Sequence, residues 1–134
     1  MDQIDRVLLI DDEEIDQKQY ARVIRRSGLI SELVTYSYAD EALDYLLQSG
    51  DTVDLIFLDI NMPRMDGFEF LERLIEHTDG PLGSCIVFML TTSLNPADKE
   101  RAMAFEVVKE FINKPLTQED VQLAANLVRS VGRG

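Results

Sequence analysis

Val53-Asp54-Leu55-Ile56-Phe57-Leu58-Asp59-Ile60-Asn61-Met62-Pro63-Arg64-Met65-Asp66-Gly67 decides the fold of this chain. Its first part is a short, almost wholly apolar run, the pattern of a strand buried on both faces in a parallel sheet covered by helices. The run ends on a carboxylate, Asp59. Pro63 follows in a polar loop and cannot continue a central strand. Asp66-Gly67 is a turn and helix-start signal. Asp59 is therefore expected at the carboxyl end of a central strand, the edge of an open α/β sheet where ligands bind. A carboxylate there is either a metal ligand or a nucleophile.

Upstream, Arg6-Val7-Leu8-Leu9-Ile10 reads as a second apolar strand, ending at Asp11-Asp12. Residues 13–27 read as a helix, with acids in its first turn and Arg22, Arg25 and Arg26 in its last, matching the macrodipole. Tyr20, Val23 and Ile24 share one face, and Gly28 is a C-terminal cap. Leu33-Val34-Thr35-Tyr36-Ser37 is less apolar and is placed at a sheet edge. A helix over 40–48 turns Ala42, Leu43, Leu46 and Leu47 inward.

Downstream, a helix over about 66–77 turns Phe68, Leu71, Leu74 and Ile75 inward, and 78–83 is loop chemistry. Cys85-Ile86-Val87-Phe88-Met89-Leu90 is another doubly buried strand, ending in Thr91. Asn95-Pro96 caps a helix that runs to about Glu106. A short last strand, 110–113, ends at Lys114-Pro115, and Thr117 caps a final helix with Val121, Ala124, Ala125 and Val128 inward. Five strands alternating with five helices imply an α/β fold with a parallel sheet, right-handed crossovers and helices on both faces.

The 134 residues make about one domain, and the 46% apolar content is enough for a core. No stretch approaches the ~20 apolar residues of a membrane span. The acidic start, Met1-Asp2-Gln3-Ile4-Asp5, is unlike a secretory signal. The single Cys85 is read as a buried structural thiol, and the chain as cytoplasmic. The net charge of -12 argues against nucleic acid and anionic membranes as partners.

In a parallel sheet all strand ends point the same way. Asp11, Asp12, Asp59, Thr91 and Lys114 can then meet in one cleft. Two carboxylates ~5 Å apart repel by roughly 3 kcal/mol at an effective dielectric of 20. A divalent cation relieves this, and all-oxygen ligation favours Mg²⁺. A group that uses a cation, an ammonium and a hydroxyl together is a phosphoryl group, which an aspartate can itself carry.

These residues make the chain resemble a receiver domain of a two-component response regulator, specifically a single-domain, chemotaxis-regulator-like one. The resemblance covers about residues 5–131, with 1–134 as one receiver domain and no output domain. It rests on Asp11-Asp12, on Leu58-Asp59-Ile60-Asn61-Met62-Pro63 with Met65-Asp66-Gly67, on Leu90-Thr91 and on Lys114-Pro115. It implies a flavodoxin-like sheet in the order 2-1-3-4-5. It implies Asp59 as the phosphoacceptor, receiving the phosphoryl group from a phosphohistidine of a sensor histidine kinase or phosphotransfer protein. It implies Mg²⁺ held by Asp12, Asp59 and the backbone carbonyl of Asn61, with Asp11 acting through water. Thr91 and Lys114 would bind the phosphoryl oxygens, Phe111 would be the switch aromatic, and the Lys114–Pro115 bond would be cis. Asn61 and Ser93 occupy positions that influence the lifetime of the aspartyl phosphate in that family.

The chain is accordingly expected to be a signalling switch rather than an enzyme, with a protein as downstream target and a monomeric or weakly dimeric state. A phosphatase using Asp59 as nucleophile is the rival from another class. Many such enzymes carry a second Asp two residues on, where this chain has Asn61. A phosphorylation-independent binding module would commonly lack the acids or the lysine, and this chain has both.

Overall fold

The computed structural model describes residues 4–48, 53–77 and 85–132. Five strands, β1 (Ile4–Ile10), β2 (Ile30–Tyr36), β3 (Leu55–Asp59), β4 (Ile86–Thr91) and β5 (Val108–Asn113), alternate with five helices. The helices are α1 (Glu14–Arg26), α2 (Ala39–Gln48), α3 (Gly67–His77), α4 (Pro96–Met103) and α5 (Gln118–Gly132). Every strand pair is parallel, and the sheet order is β2-β1-β3-β4-β5. The expected α/β architecture and strand order are thus both present. The loop expected at 78–83 lies outside the described residues.

The sheet separates two apolar layers because alternate side chains of each strand face opposite ways. Leu55 and Phe57 pack with Tyr20, Ala21 and Ile24 of α1 and Val121, Ala124, Ala125 and Val128 of α5. Phe57 meets Phe88 edge-on there, ring centroids 5.9 Å apart. Ile56 and Leu58 face the other layer, built from α2, α3 and α4. β3 and β4 are buried along their whole length, which is why their sequences are continuous apolar runs.

Local signals set the helix ends. Gly28 takes φ +69, the left-handed turn that stops α1. Asp66 and Glu69 cap α3 reciprocally, each side chain accepting from the other's backbone N–H. Asn95 Oδ1 accepts from Ala97 N at 3.0 Å, ahead of Pro96 in the first turn of α4. Thr117 and Asp120 form the same kind of box at α5.

Four expectations shift. Ile75 is 50% exposed and Leu47 39% exposed, so neither belongs to the core. In α3 the inward stripe is Phe68, Phe70, Leu71 and Leu74, with Phe70 fully buried. Ile75 lies past the rim of that stripe, as Leu47 lies past Leu46, because the sheet covers only about a 100°-wide face of each helix. β2 begins at Ile30, before the apolar run, because its Ile4↔Ile30 register continues along a solvent-exposed edge that tolerates Ser31 and Glu32. α4 ends at Met103 rather than near Glu106. Tight hydrogen bonds, Phe105 N to Ala102 O and Val108 N to Phe105 O, turn the chain into β5. No helix among the described residues is long and apolar enough to cross a membrane.

Candidate functional site

β1 and β3 are neighbours with Ile10 opposite Leu58, so Asp11 and Asp59 leave adjacent strand ends. Asp11 is fully buried and Asp59 is 6% exposed. One carboxylate oxygen from each of Asp11, Asp12 and Asp59 lies within 4.8 Å of the others. Lys114 comes from the far edge of the sheet. Its backbone N–H donates to Thr91 O at 2.8 Å, and the Lys114–Pro115 peptide is cis. Its ammonium donates to Asp11 Oδ2 and to Asp16 Oδ2, each at 3.0 Å, and stands 3.7 Å from Asp59 Oδ1.

The pocket is electrostatically loaded. Burial, then the charge of Asp11, push the Asp59 carboxyl up to about 7. Burial also raises Asp11, against the Glu13 N–H and the Lys114 ammonium. For Lys114, burial would lower the pKa, but its bonds to Asp11 and Asp16 raise it, so it is a fixed cation. A carboxylate pair at 4.8 Å repels by about 3.5 kcal/mol at an effective dielectric of 20. One ammonium among four carboxylates leaves negative charge over.

Asp12 offers the cluster an open acceptor. Its Oδ1 is buried with no hydrogen-bond partner among the described residues. Buried acceptors of this kind are uncommon in folded proteins. A hard divalent cation bound by oxygen would satisfy it and relieve the repulsion at once. The donor set Asp11, Asp12 and Asp59 fits Mg²⁺.

The rest of the site is held by backbone contacts. Gly67 N donates to Ile60 O at 2.8 Å. A Cβ on Gly67 would stand 2.6 Å from the Asp59 carbonyl oxygen, so only glycine lets α3 approach the end of β3. Asp59 Oδ1 accepts from Ile60 N at 2.9 Å. Thr91 is fully buried, and its Oγ1 accepts from Ser93 N at 2.9 Å. Ser93 Oγ donates to Asp98 Oδ2 at 2.6 Å, tying the end of β4 to the first turn of α4. Asn61 is exposed in the loop between β3 and α3. Phe111 lies opposite Met89 and packs, partly buried, against the layer of α2, α3 and α4. Cys85 is buried, as expected, and burial pushes its thiol up to about 12.

Asp11, Asp12, Asp59 and Lys114 are brought together as expected, and Asp66 serves as a helix cap. Sequence reasoning missed Asp16 and Gln17. By position Asp16 is one of the acids favoured by the helix dipole, yet it shares the Lys114 ammonium. Gln17 Nε2 donates to Asp11 O at 2.9 Å and Tyr36 O at 3.0 Å, bracing β1 against β2. The only signal was their position, one turn after Asp11-Asp12.

The sequence profile of the response regulator receiver domain matches residues 7–126. A two-component response regulator structure from Cytophaga hutchinsonii superposes with a TM-score of 0.88, at 31% identity, covering 96% of this chain and 98% of that one. The transcriptional regulatory protein YvrH of Bacillus subtilis is 32% identical over 121 residues, 90% of this chain and 46% of YvrH. The hybrid signal transduction histidine kinase L of Dictyostelium discoideum is 30% identical over 87% of this chain, which corresponds to 7% of that kinase. The chain thus spans less than half the length of these two relatives.

Proposed function

This chain belongs to the response regulator receiver domain family of two-component signalling, and on that premise we propose that it is a phosphorylation-dependent switch with Asp59 as phosphoacceptor. The observation that supports this reading most directly is Asp59 at the end of β3, with Asp11 and Asp12 within 4.8 Å and the Lys114 ammonium at 3.7 Å.

In this reading a carboxylate oxygen of Asp59 attacks the phosphorus of a phosphohistidine on a sensor histidine kinase or phosphotransfer protein. The P–N bond breaks, the imidazole keeps its electron pair, and the new P–O bond makes an aspartyl phosphate. Asp12, Asp59 and the carbonyl of Asn61 would hold Mg²⁺, with Asp11 acting through water. The ion's chemistry is to neutralise charge on the phosphoryl oxygens. Lys114 pairs with another of those oxygens.

Thr91 then reports the new group. Its hydroxyl accepts from Ser93 N–H, so its own proton stays available to donate to a phosphoryl oxygen. Moving a two-state equilibrium from 1:99 to 99:1 needs about 5.5 kcal/mol. A hydrogen bond to a charged group supplies roughly 1.5–3 kcal/mol, so Thr91 and Lys114 act together. Phe111 follows Thr91, and the surface of α4, β5 and α5 changes for a protein target. The chain takes part in its own phosphoryl gain and loss, turns over no external substrate, and works in the cytoplasm.

Intact mass after incubation with a small acyl phosphate tests this. A single phosphoryl adduct that requires both Mg²⁺ and Asp59 is expected. An adduct that persists in Asp59→Asn, or steady hydrolysis of an external phosphoester, would overturn it.

A further inference from the structure

A groove of about 520 Å³ runs along the flank of α1 beside the edge strand β2, with Gln17 at its lining. Its lining includes Lys18, Arg22, Arg25, Arg26 and Thr35. The chain has 25 acidic side chains against 13 basic ones, so its cations should readily find carboxylates. Lys18 does, pairing with Glu14 at 2.9 Å. Arg22, Arg25 and Arg26 have no side-chain ion pair or hydrogen bond among the described residues. The helix dipole accounts for cations in the last turn of α1. It does not account for four cations on one concave flank, starting more than a turn earlier.

We propose that this groove is a docking site for an Asp/Glu-rich segment of a partner protein, an interaction that goes beyond the phosphorylation reading and does not depend on it. Three guanidinium groups without carboxylates are the complement of such a segment, since each can take a carboxylate in a two-pronged hydrogen bond. The net charge of -12 makes the local sign matter more. An acidic partner is repelled by the molecule as a whole and is admitted only where cations are concentrated. Four cations over about two and a half helical turns match a short acidic segment. They are too few to hold a long nucleic acid against that repulsion.

The probe is a fluorescein-labelled oligoglutamate of about ten residues, long enough to span the α1 flank when extended. It is titrated into the full chain, with anisotropy as readout, at low and physiological ionic strength. Saturable binding that weakens with salt is expected. Arg22→Glu/Arg26→Glu should weaken it about tenfold or more, the loss of one charge-assisted hydrogen bond at its weakest. Arg64→Glu/Arg73→Glu makes the same charge change before and within α3, outside the groove and outside the α4, β5 and α5 surface, and should bind within about twofold of the wild type. Unfolding midpoints confirm that both variants fold. No binding, or equal losses in both variants, would overturn the proposal. Tighter binding of tripolyphosphate or a single-stranded oligonucleotide than of oligoglutamate would also overturn it, since the groove would then be a phosphate site.

Discussion

Removing the charge of Asp59 should stabilise the metal-free protein. Asp59 is 6% exposed, and burial with the charge of Asp11 pushes it up to about 7, against an ordinary value of 3.8. The folded pKa lies above the unfolded one, so ionising Asp59 opposes folding. That penalty is absent below about pH 4, grows as pH rises towards 7, and is full above it. A difference of about three pH units corresponds to about 4 kcal/mol. Coulomb's law brackets the same range. Each carboxylate within 4.8 Å contributes at least about 3.5 kcal/mol of repulsion at an effective dielectric of 20, and Lys114 at 3.7 Å returns about 4.5 kcal/mol of attraction. Asp59→Asn keeps the acceptor for Ile60 N–H and leaves Lys114 its bonds to Asp11 and Asp16. The variant should therefore be more stable by about 2–4 kcal/mol at pH 8, a rise of about 5–15 °C in the unfolding midpoint. At pH 5 the gain should fall to less than half. The assay is thermal and urea unfolding in EDTA at both pH values. An equal gain at the two pH values, or none at pH 8, would refute the electrostatic account.

Three further outcomes follow from neighbouring contacts. Lys114→Met should destabilise the protein by about 3–5 kcal/mol at pH 8, because Asp11, Asp16 and Asp59 lose their shared cation; urea unfolding should show a smaller loss near pH 4. Gly67→Ala places a Cβ 2.6 Å from the Asp59 carbonyl oxygen and should cost about 2–3 kcal/mol with weaker Mg²⁺ binding by calorimetry; unchanged stability would mean that α3 can back away freely. Cys85 is 4% exposed with its thiol pushed up to about 12, so an aromatic disulfide reagent at pH 8 should label it only after urea is added, and rapid native labelling would show that the β4 entrance opens.

Much of the molecule could be read along the chain. Apolar runs ending at Ile10, Asp59 and Leu90 are strands because doubly covered strands need apolar side chains on both faces. Asn95-Pro96, Thr117 and Gly28 mark helix ends because capping is chemistry between near neighbours. Parallel alternation alone implied that Asp11, Asp12, Asp59, Thr91 and Lys114 share one edge. Helix faces were legible only in part, since Phe70 is buried and Ile75 is half exposed. Periodicity locates a stripe only to within one residue, and the packing against the sheet selects its centre.

Tertiary structure decided what depends on distances between remote residues. Asp16 and Asp11 share one ammonium across 98 and 103 residues of chain, and no local pattern distinguishes Asp16 from an acid that merely favours a helix start. The approach of Gly67 to Asp59, the Oδ1 of Asp12 without a partner among the described residues, and the cluster of arginines beside β2 belong to the same class. The sequence by itself determined the elements, their parallel arrangement and the acids and lysine at the strand ends, because side-chain alternation and capping act over a few residues. Only the folded chain determined which charges meet, how deeply they are buried and which are left without a partner, because burial and Coulomb energies depend on separation in space.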